Sequence, residues 1–185
     1  MESLFREDRR VAIVHSSRFG HSTKIAETVA DVLFHNGVPA DMQALTTATT
    51  PDPQRHHGLV MVTSVRYGHF SPGSFALIKK HRDWVESVPT LLMTVSLTAR
   101  TPEKRDPAVH VYTRKFLEKT HWQPTQIEVV PGLLDYPSYN LFDRKAIQLI
   151  MSITGGETDP TAVIDFTEWD EVRAASQRFA DTMLR

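Results

Sequence analysis

The sequence predicts an α/β domain, a doubly wound five-stranded parallel sheet with helices on both faces, and three observations carry that prediction. Near-continuous apolar runs recur at Val11-Ala12-Ile13-Val14, Leu59-Val60-Met61-Val62 and Leu91-Leu92-Met93, the mark of strands buried on both faces. Amphipathic helical stretches separate these runs, and strand-helix alternation over a whole chain implies parallel β-α-β units. The segments that follow the runs are rich in hydroxyl, glycine and cationic residues. In such a sheet ligands bind outside the carboxyl ends of the strands, so the loops at Ser16, Ser64 and Ser96 are expected along one rim.

Taken in order, the first strand covers 10–16 and leads into a helix from about Ser22 to Asn36, whose end is marked by Asn36-Gly37. Val38 to Leu45 reads as a weaker second strand, and the threonine- and proline-rich stretch 46–54 as a loop. Leu59 to Thr63 is the third strand, continued by the polar and aromatic loop Ser64 to Phe70. Phe75, Leu77, Ile78, Trp84 and Val85 predict one helix from Pro72 or Gly73 to about Ser87, with Pro72 near its first turn. The fourth strand, Thr90 to Val95, ends in the loop Ser96 to Arg105, and a helix is expected from about Pro107 to His121. Gln126 to Gly132 is the fifth strand, and a last helix begins near Glu168 and includes Ala174 to Leu184.

The stretch from Leu133 to Asp165 does not fit simple repeats, and an inserted loop and helix are expected over 133–156. Its helical part, Asn140 to Ile153, stops at Thr154-Gly155-Gly156. The apolar positions Leu141, Phe142, Ile147, Leu149, Ile150, Met151 and Ile153 exceed what a helix half-covered by a small sheet requires, while Arg144 and Lys145 sit near one end. Two readings follow: a core-packed helix with a solvated basic turn, or an interfacial helix that lies on a lipid surface or lines a hydrophobic pocket.

At 185 residues the chain suits one domain, 1–185, with its core at 9–185. Lys and Arg total 21 against 22 Asp and Glu, so no global charge argues for a nucleic-acid partner. The absence of cysteine excludes disulfides, thiol catalysis, Fe–S clusters and thiolate zinc. The nine histidines include no H-E-x-x-H or similar ligand spacing, so no metal is expected. Met1 to Arg10 is charged and lacks the apolar core of a secretory signal, and no stretch approaches the roughly 20 apolar residues of a membrane span. The expectation is a protein of the cytosol or of the cytosolic face of a membrane.

The most informative segment is Ser16-Ser17-Arg18-Phe19-Gly20-His21-Ser22-Thr23, set between an apolar strand and a helix start. The first N–H groups of a helix lack internal partners, the helix dipole favours an anion there, and Gly20 allows close backbone approach. The loop is neither G-x-x-x-x-G-K-[ST] nor G-x-G-x-x-G, which leaves a hydroxyl-rich cradle for a single phosphate, as in FMN. On spacing alone, the alternative is a strand-to-helix turn with a serine cap and no ligand.

Five stretches are informative together: Ser16-Ser17-Arg18 with Gly20, Ser64-Val65-Arg66-Tyr67-Gly68-His69, Ala99-Arg100 with Pro102-Glu103-Lys104-Arg105, Arg114-Lys115-Phe116-Leu117, and Gly155-Gly156-Glu157-Thr158-Asp159. They resemble flavodoxin-like proteins and, more narrowly, the menaquinone-dependent protoporphyrinogen IX dehydrogenase family of bacterial haem synthesis. Two departures stand out: Phe19 occupies a position where a polar residue is more usual, and Ser22 replaces the commoner threonine.

The resemblance implies a flavodoxin-like fold, FMN as cofactor, protoporphyrinogen IX as the molecule oxidised to protoporphyrin IX, and a membrane quinone, menaquinone or ubiquinone, as acceptor. It also implies peripheral attachment to the cytoplasmic face of the bacterial inner membrane, which favours the interfacial reading of 140–153; homo-oligomers are left open. Ser16, Ser17, Arg18, Phe19, Gly20, His21, Ser22 and Thr23 would hold the phosphate end of FMN. Ser64, Val65, Arg66, Tyr67 and Gly68, with Ser96, Leu97 and Thr98, would flank its ring, Tyr67 stacking on it. Arg66, Arg100, Lys104 and Arg105 would meet the substrate carboxylates, and His69 would accept a proton. A flavodoxin-like electron carrier and an NAD(P)H:quinone reductase are the competing readings; the near-zero net charge speaks against a carrier that docks through an acidic surface.

Overall fold

The computed structural model describes residues 9–185, so the expectation for the segment Met1 to Asp8 lies outside the described residues. Strands β1 (Val11–Ser16), β2 (Ala40–Ala44), β3 (Gly58–Ser64), β4 (Thr90–Ser96) and β5 (Gln126–Pro131) form one sheet in the order β2-β1-β3-β4-β5. Every neighbouring pair is parallel, so the doubly wound five-stranded sheet expected from the sequence is present. Between β1 and β3 the chain leaves towards opposite faces, which makes their carboxyl ends the switch point of the sheet.

Alternation along β1 assigns its side chains to two cores. Val11 and Ile13 pack with α1 (His21–His35) and α6 (Trp169–Leu184), through Ile25, Val29, Phe179 and Met183 among others. Ala12 and Val14 face the other way, towards α2 (Pro72–Lys80), α3 (Arg82–Ser87) and α4 (Val111–Thr120), where Leu77, Trp84 and Phe116 are buried.

Two helices differ from expectation. The single helix predicted over 72–87 is interrupted at His81, whose φ of −115° and ψ of 31° end α2 and start α3. Trp84 follows the break and donates its indole N–H to the His56 carbonyl at 3.0 Å. The helix expected from Pro107 starts instead at Val111, because Asp106 accepts the Ala108 N–H at 2.8 Å in a local turn. His110 then stands at the N-cap of α4, its Nδ1 3.4 Å from the Thr113 nitrogen.

The insertion is larger than the expected 133–156. Leu133–Asp135 (β6) pairs antiparallel with Val163–Asp165 (β7), and α5 (Leu141–Ile153) lies between them in sequence. This unit has its own small core of Leu134, Tyr136, Tyr139 and Met151. The core-packed reading of α5 is not what the structure shows: Leu141 and Phe142 are 78% exposed, Ile153 77% and Leu149 63%. The residues α5 buries are Asp143 and Met151.

Candidate functional site

The cradle at the head of α1 is built on Gly20, which sits in the left-handed region at φ 82° with open space where a Cβ would stand. Among the described residues no side chain caps α1, no acid lies in its first turn, and its first intrahelical bond runs from the Lys24 N–H to the Gly20 carbonyl at 3.0 Å. The amides ahead of Lys24 are therefore available to an anion. The serine cap weighed from the sequence is absent.

Beside this cradle lies a cavity of about 430 Å³ bounded by all three rim loops and by the insertion. Ser17, Arg18, Phe19, His21 and Ser22 line it from the first loop, Ser64 to Gly68 from the second, and Ser96, Leu97, Thr98 and Arg100 from the third. Ser16, Gly20 and Thr23 stand outside its lining. Ser16 is tied to the sheet through Thr63, Oγ to Oγ1 2.9 Å, and Thr23 Oγ1 meets His15 Nδ1 at 3.2 Å. His21 Nε2 is 2.7 Å from Thr167 Oγ1; burial lowers its pKa, against the pull of Asp165.

The second loop is a hairpin in which Arg66 and His69 exchange backbone bonds of 2.8 and 2.9 Å. Tyr67 and Gly68, both left-handed at φ 48° and 79°, make its two-residue turn. This geometry sends Tyr67 towards α5 and His69 away from the cavity. His69 lines a second cleft of about 420 Å³ with Ser16, Phe70 and Ser71, across a wall shared by Arg18 and Arg66. The expected proton acceptor is thus not in the cavity.

Of the expected substrate cations, Arg66 and Arg100 reach the cavity, while Lys104 and Arg105 do not line it. Arg105 is held by Glu168 at 2.7 Å and by the Ala99 carbonyl at 3.0 Å. Arg100 lines the wall but also donates to Thr154, at 2.9 Å to its carbonyl and 2.8 Å to Oγ1, and so fastens the third loop to the end of α5.

The sequence reading missed Asp143, on which two of the loops converge. Its carboxylate is 2.8 Å from Arg66 Nη2 and 3.4 Å from Arg18 Nη2, and it accepts from the Tyr67 hydroxyl and from Asn140 Nδ2. The Tyr67 hydroxyl and then the Arg66 guanidinium hold its pKa below the usual value of 3.8, against the effect of burial. Among the described residues Arg66 Nη1 has no partner, although it is buried. The only signal in the sequence is the spacing Asn140-x-x-Asp143, a helix-capping pattern, and Asn140 does accept the Asp143 N–H at 2.8 Å.

Over this latch the wall becomes apolar. Tyr139, Ile147, Ile150 and Met151 roof the cavity from the insertion, and Phe19, the unusual loop residue, packs on Tyr139 with ring centroids 5.0 Å apart. Ile150 is at once part of the lining and 42% exposed, so the roof continues into the outer apolar face of α5. Arg144, which the core-packed reading set in a solvated basic turn with Lys145, donates to the carbonyls of Tyr136 and Tyr139 at 3.2 and 3.4 Å.

The cradle and rim loops have counterparts in known proteins. The chain matches the flavodoxin domain family over residues 12–161. It is 35% identical over 171 residues to protoporphyrinogen IX dehydrogenase [quinone] of Escherichia coli (strain K12), covering 92% of this chain and 94% of that protein. The protein of the same name from Leishmania major is 37% identical over 169 residues, 91% of this chain and 73% of its own length. Among solved structures, the Streptococcus pneumonia TIGR4 flavodoxin superposes with a TM-score of 0.50 at 16% identity, covering 95% of this chain and 97% of that one. A flavodoxin from the domain Archaea gives a TM-score of 0.51 at 9% identity, with 95% and 99% coverage. Sheet order, cradle and relatives agree: the chain belongs to the flavodoxin-domain family of the quinone-dependent protoporphyrinogen IX dehydrogenases.

Proposed function

We propose that this flavodoxin-domain protein is an FMN-dependent oxidoreductase that converts protoporphyrinogen IX to protoporphyrin IX at a membrane surface and passes the electrons to a lipid-soluble quinone. The observation that supports this most is the polarity gradient of one cavity. It is cationic and hydroxyl-lined next to the open amides of α1, and apolar under α5, where Ile150 leads to the exposed face.

The residues present fit FMN. The uncapped start of α1 and the Ser17 and Ser22 side chains suit a single phosphate, and the buried, unpartnered Arg66 Nη1 awaits an acceptor. When bound, the flavin supplies the two-electron chemistry, accepting a hydride equivalent and releasing it to the second substrate. Arg66 and Arg100 give the cavity an edge for propionates, and the roof of Ile147, Ile150 and Met151 keeps water from an apolar macrocycle.

No helix among the described residues is long and apolar enough to cross a membrane. Contact is instead through the outer face of α5, where Leu141, Phe142, Leu149 and Ile153 project beside the exposed Lys145. Such a face binds an anionic bilayer reversibly at the cytoplasmic surface.

The test has two arms. Purified protein loaded with FMN is mixed anaerobically with protoporphyrinogen IX or with NADPH, and flavin bleaching is followed; rapid bleaching by the porphyrinogen, reversed by a quinone, is expected. Bleaching by NADPH alone would instead make the protein a nicotinamide-dependent quinone reductase. For the membrane arm, Leu149→Glu with Ile153→Glu should abolish sedimentation with anionic vesicles while FMN stays bound, because neither residue lines the cavity. Unchanged sedimentation would refute the membrane contact.

A further inference from the structure

Behind the third loop lies a buried histidine for which the proposed oxidation has so far given no role. His110 is 2% exposed. Its Nε2 is 3.1 Å from Oγ1 of Thr98, a residue of the cavity wall, and that hydroxyl is 2.9 Å from Ser96 Oγ. On its far side Nδ1 is 2.6 Å from Thr113 Oγ1, which is 2.8 Å from Thr94 Oγ1, which lies 3.4 Å from the Glu128 carbonyl oxygen.

The far end of this chain sets its direction. A carbonyl can only accept, so Thr94 donates to Glu128; having one proton, Thr94 then accepts from Thr113, and Thr113 accepts from Nδ1–H. The Thr113 N–H also lies 3.4 Å from Nδ1, as long as the Thr94 contact to Glu128, and it favours the other tautomer; the labelled-histidine spectrum below decides between them. With its proton on Nδ1, the neutral ring turns the Nε2 lone pair to the hydroxyl of Thr98, which remains able to accept from Ser96.

The groups around the ring keep it neutral. Burial lowers the pKa of His110 below 6.5, and the Lys104 ammonium acts in the same sense. Tyr112 stands edge-on with its ring centroid 5.6 Å away. Among the described residues no carboxylate bonds to His110.

We propose that His110 is the proton store of this cavity, a positioning residue that takes up and returns the substrate proton through the hydroxyl of Thr98. The inference rests on the oxidation proposed above. Oxidising one bridging CH2 and its pyrrole in the porphyrinogen removes a hydride equivalent from the bridging carbon, which goes to the flavin, and the pyrrole N–H proton, and leaves a bridging C=C bond and a ring C=N bond. That proton bonds to the Thr98 oxygen as the proton already there passes to Nε2, so the hydroxyl is restored and an imidazolium results. Reducing a quinone to its hydroquinol takes the hydride equivalent and one more proton, and the imidazolium returns that proton by the same path. One two-electron turnover thus leaves protein, charge and protons as they began.

The first test needs no turnover. Nitrogen NMR of protein labelled with ¹⁵N-histidine, with and without FMN, should show His110 protonated at Nδ1; protonation at Nε2 in the neutral ring would overturn the proposal. Thr113→Val removes the acceptor that fixes this tautomer and should move the ring towards Nε2–H. In the porphyrinogen-to-quinone assay, His110→Gln should lower kcat about 100-fold with little change in KM, and should remove the fall in kcat on the acid side of the pH profile. Should His110→Gln fold poorly by thermal melt, Thr98→Val leaves the histidine in place, breaks the link and should lose the same limb, with FMN titration confirming a loaded cavity. A wild-type pH profile in a folded, FMN-loaded variant overturns the role of His110 alone. Failure of the wild-type protein to be bleached by porphyrinogen overturns the substrate reading and this step with it.

Discussion

Asp143→Asn tests whether α5 is held over the cavity by one carboxylate. Removing one partner of a buried ion pair costs about 3–5 kcal/mol. The Arg66 and Arg18 side chains that would be stranded retain 28% and 55% of their exposure, so water relieves part of that cost. Asparagine also keeps an oxygen for the Tyr67 hydroxyl, and about 2 kcal/mol is a fair expectation, close to a 30-fold change in an opening equilibrium. The cost should fall on the insertion, because α5 shares its small core with Tyr136 and Tyr139 and not with the sheet. Hydrogen exchange read by mass spectrometry should therefore rise by roughly 30-fold over 141–153, with the amides of Ile13, Val62 and Met93 unchanged. In the native protein the same contribution is complete above pH 3.8 and fades only as pH falls through the lowered pKa of Asp143. Unaltered exchange in α5, or an equal rise across the sheet, would refute the latch.

Two further outcomes follow from packing and titration. Gly73→Ala would set a Cβ 2.8 Å from the carbonyl carbon and oxygen of Thr46; the backbone there cannot swing aside, so a loss of about 1–3 kcal/mol is expected in urea unfolding. Burial draws the pKa values of His15, His21, His81 and His110 below 6.5, partly opposed by Glu27 at His15 and Asp165 at His21. The unfolded chain then takes up protons first as pH drops past 6.5, so this stability is intact above that pH and declines below it; a urea midpoint that stays level from about pH 7.5 to about pH 5.5 would contradict the assignment.

The sheet was legible because β1, β3 and β4 are buried on both faces and so leave unbroken apolar runs in the sequence. The edge strand β2 was weak for the opposite reason: none of Ala40–Ala44 is fully buried. Strand β7 has three residues and an exposed Val163, and its pairing with β6 is a long-range event without a local pattern. At the site, the loop residues could be placed because hydroxyls, glycine and cations gather after each strand. Asp143 could not, since an acid in the first turn of a helix reads as a solvated, dipole-favourable residue, and only folding brings Arg18, Arg66 and Tyr67 to it. The hairpin turn at Tyr67-Gly68 explains His69: its neighbours predicted proximity, and two left-handed residues turned it to the far side of the wall.

Ile150 belongs both to the lining of the cavity and to the bare side of its helix. When that side rests on a bilayer, a molecule dissolved among acyl chains meets no aqueous gap on its way in. Its solubility in water then drops out of the rate law, and turnover follows its mole fraction in the lipid.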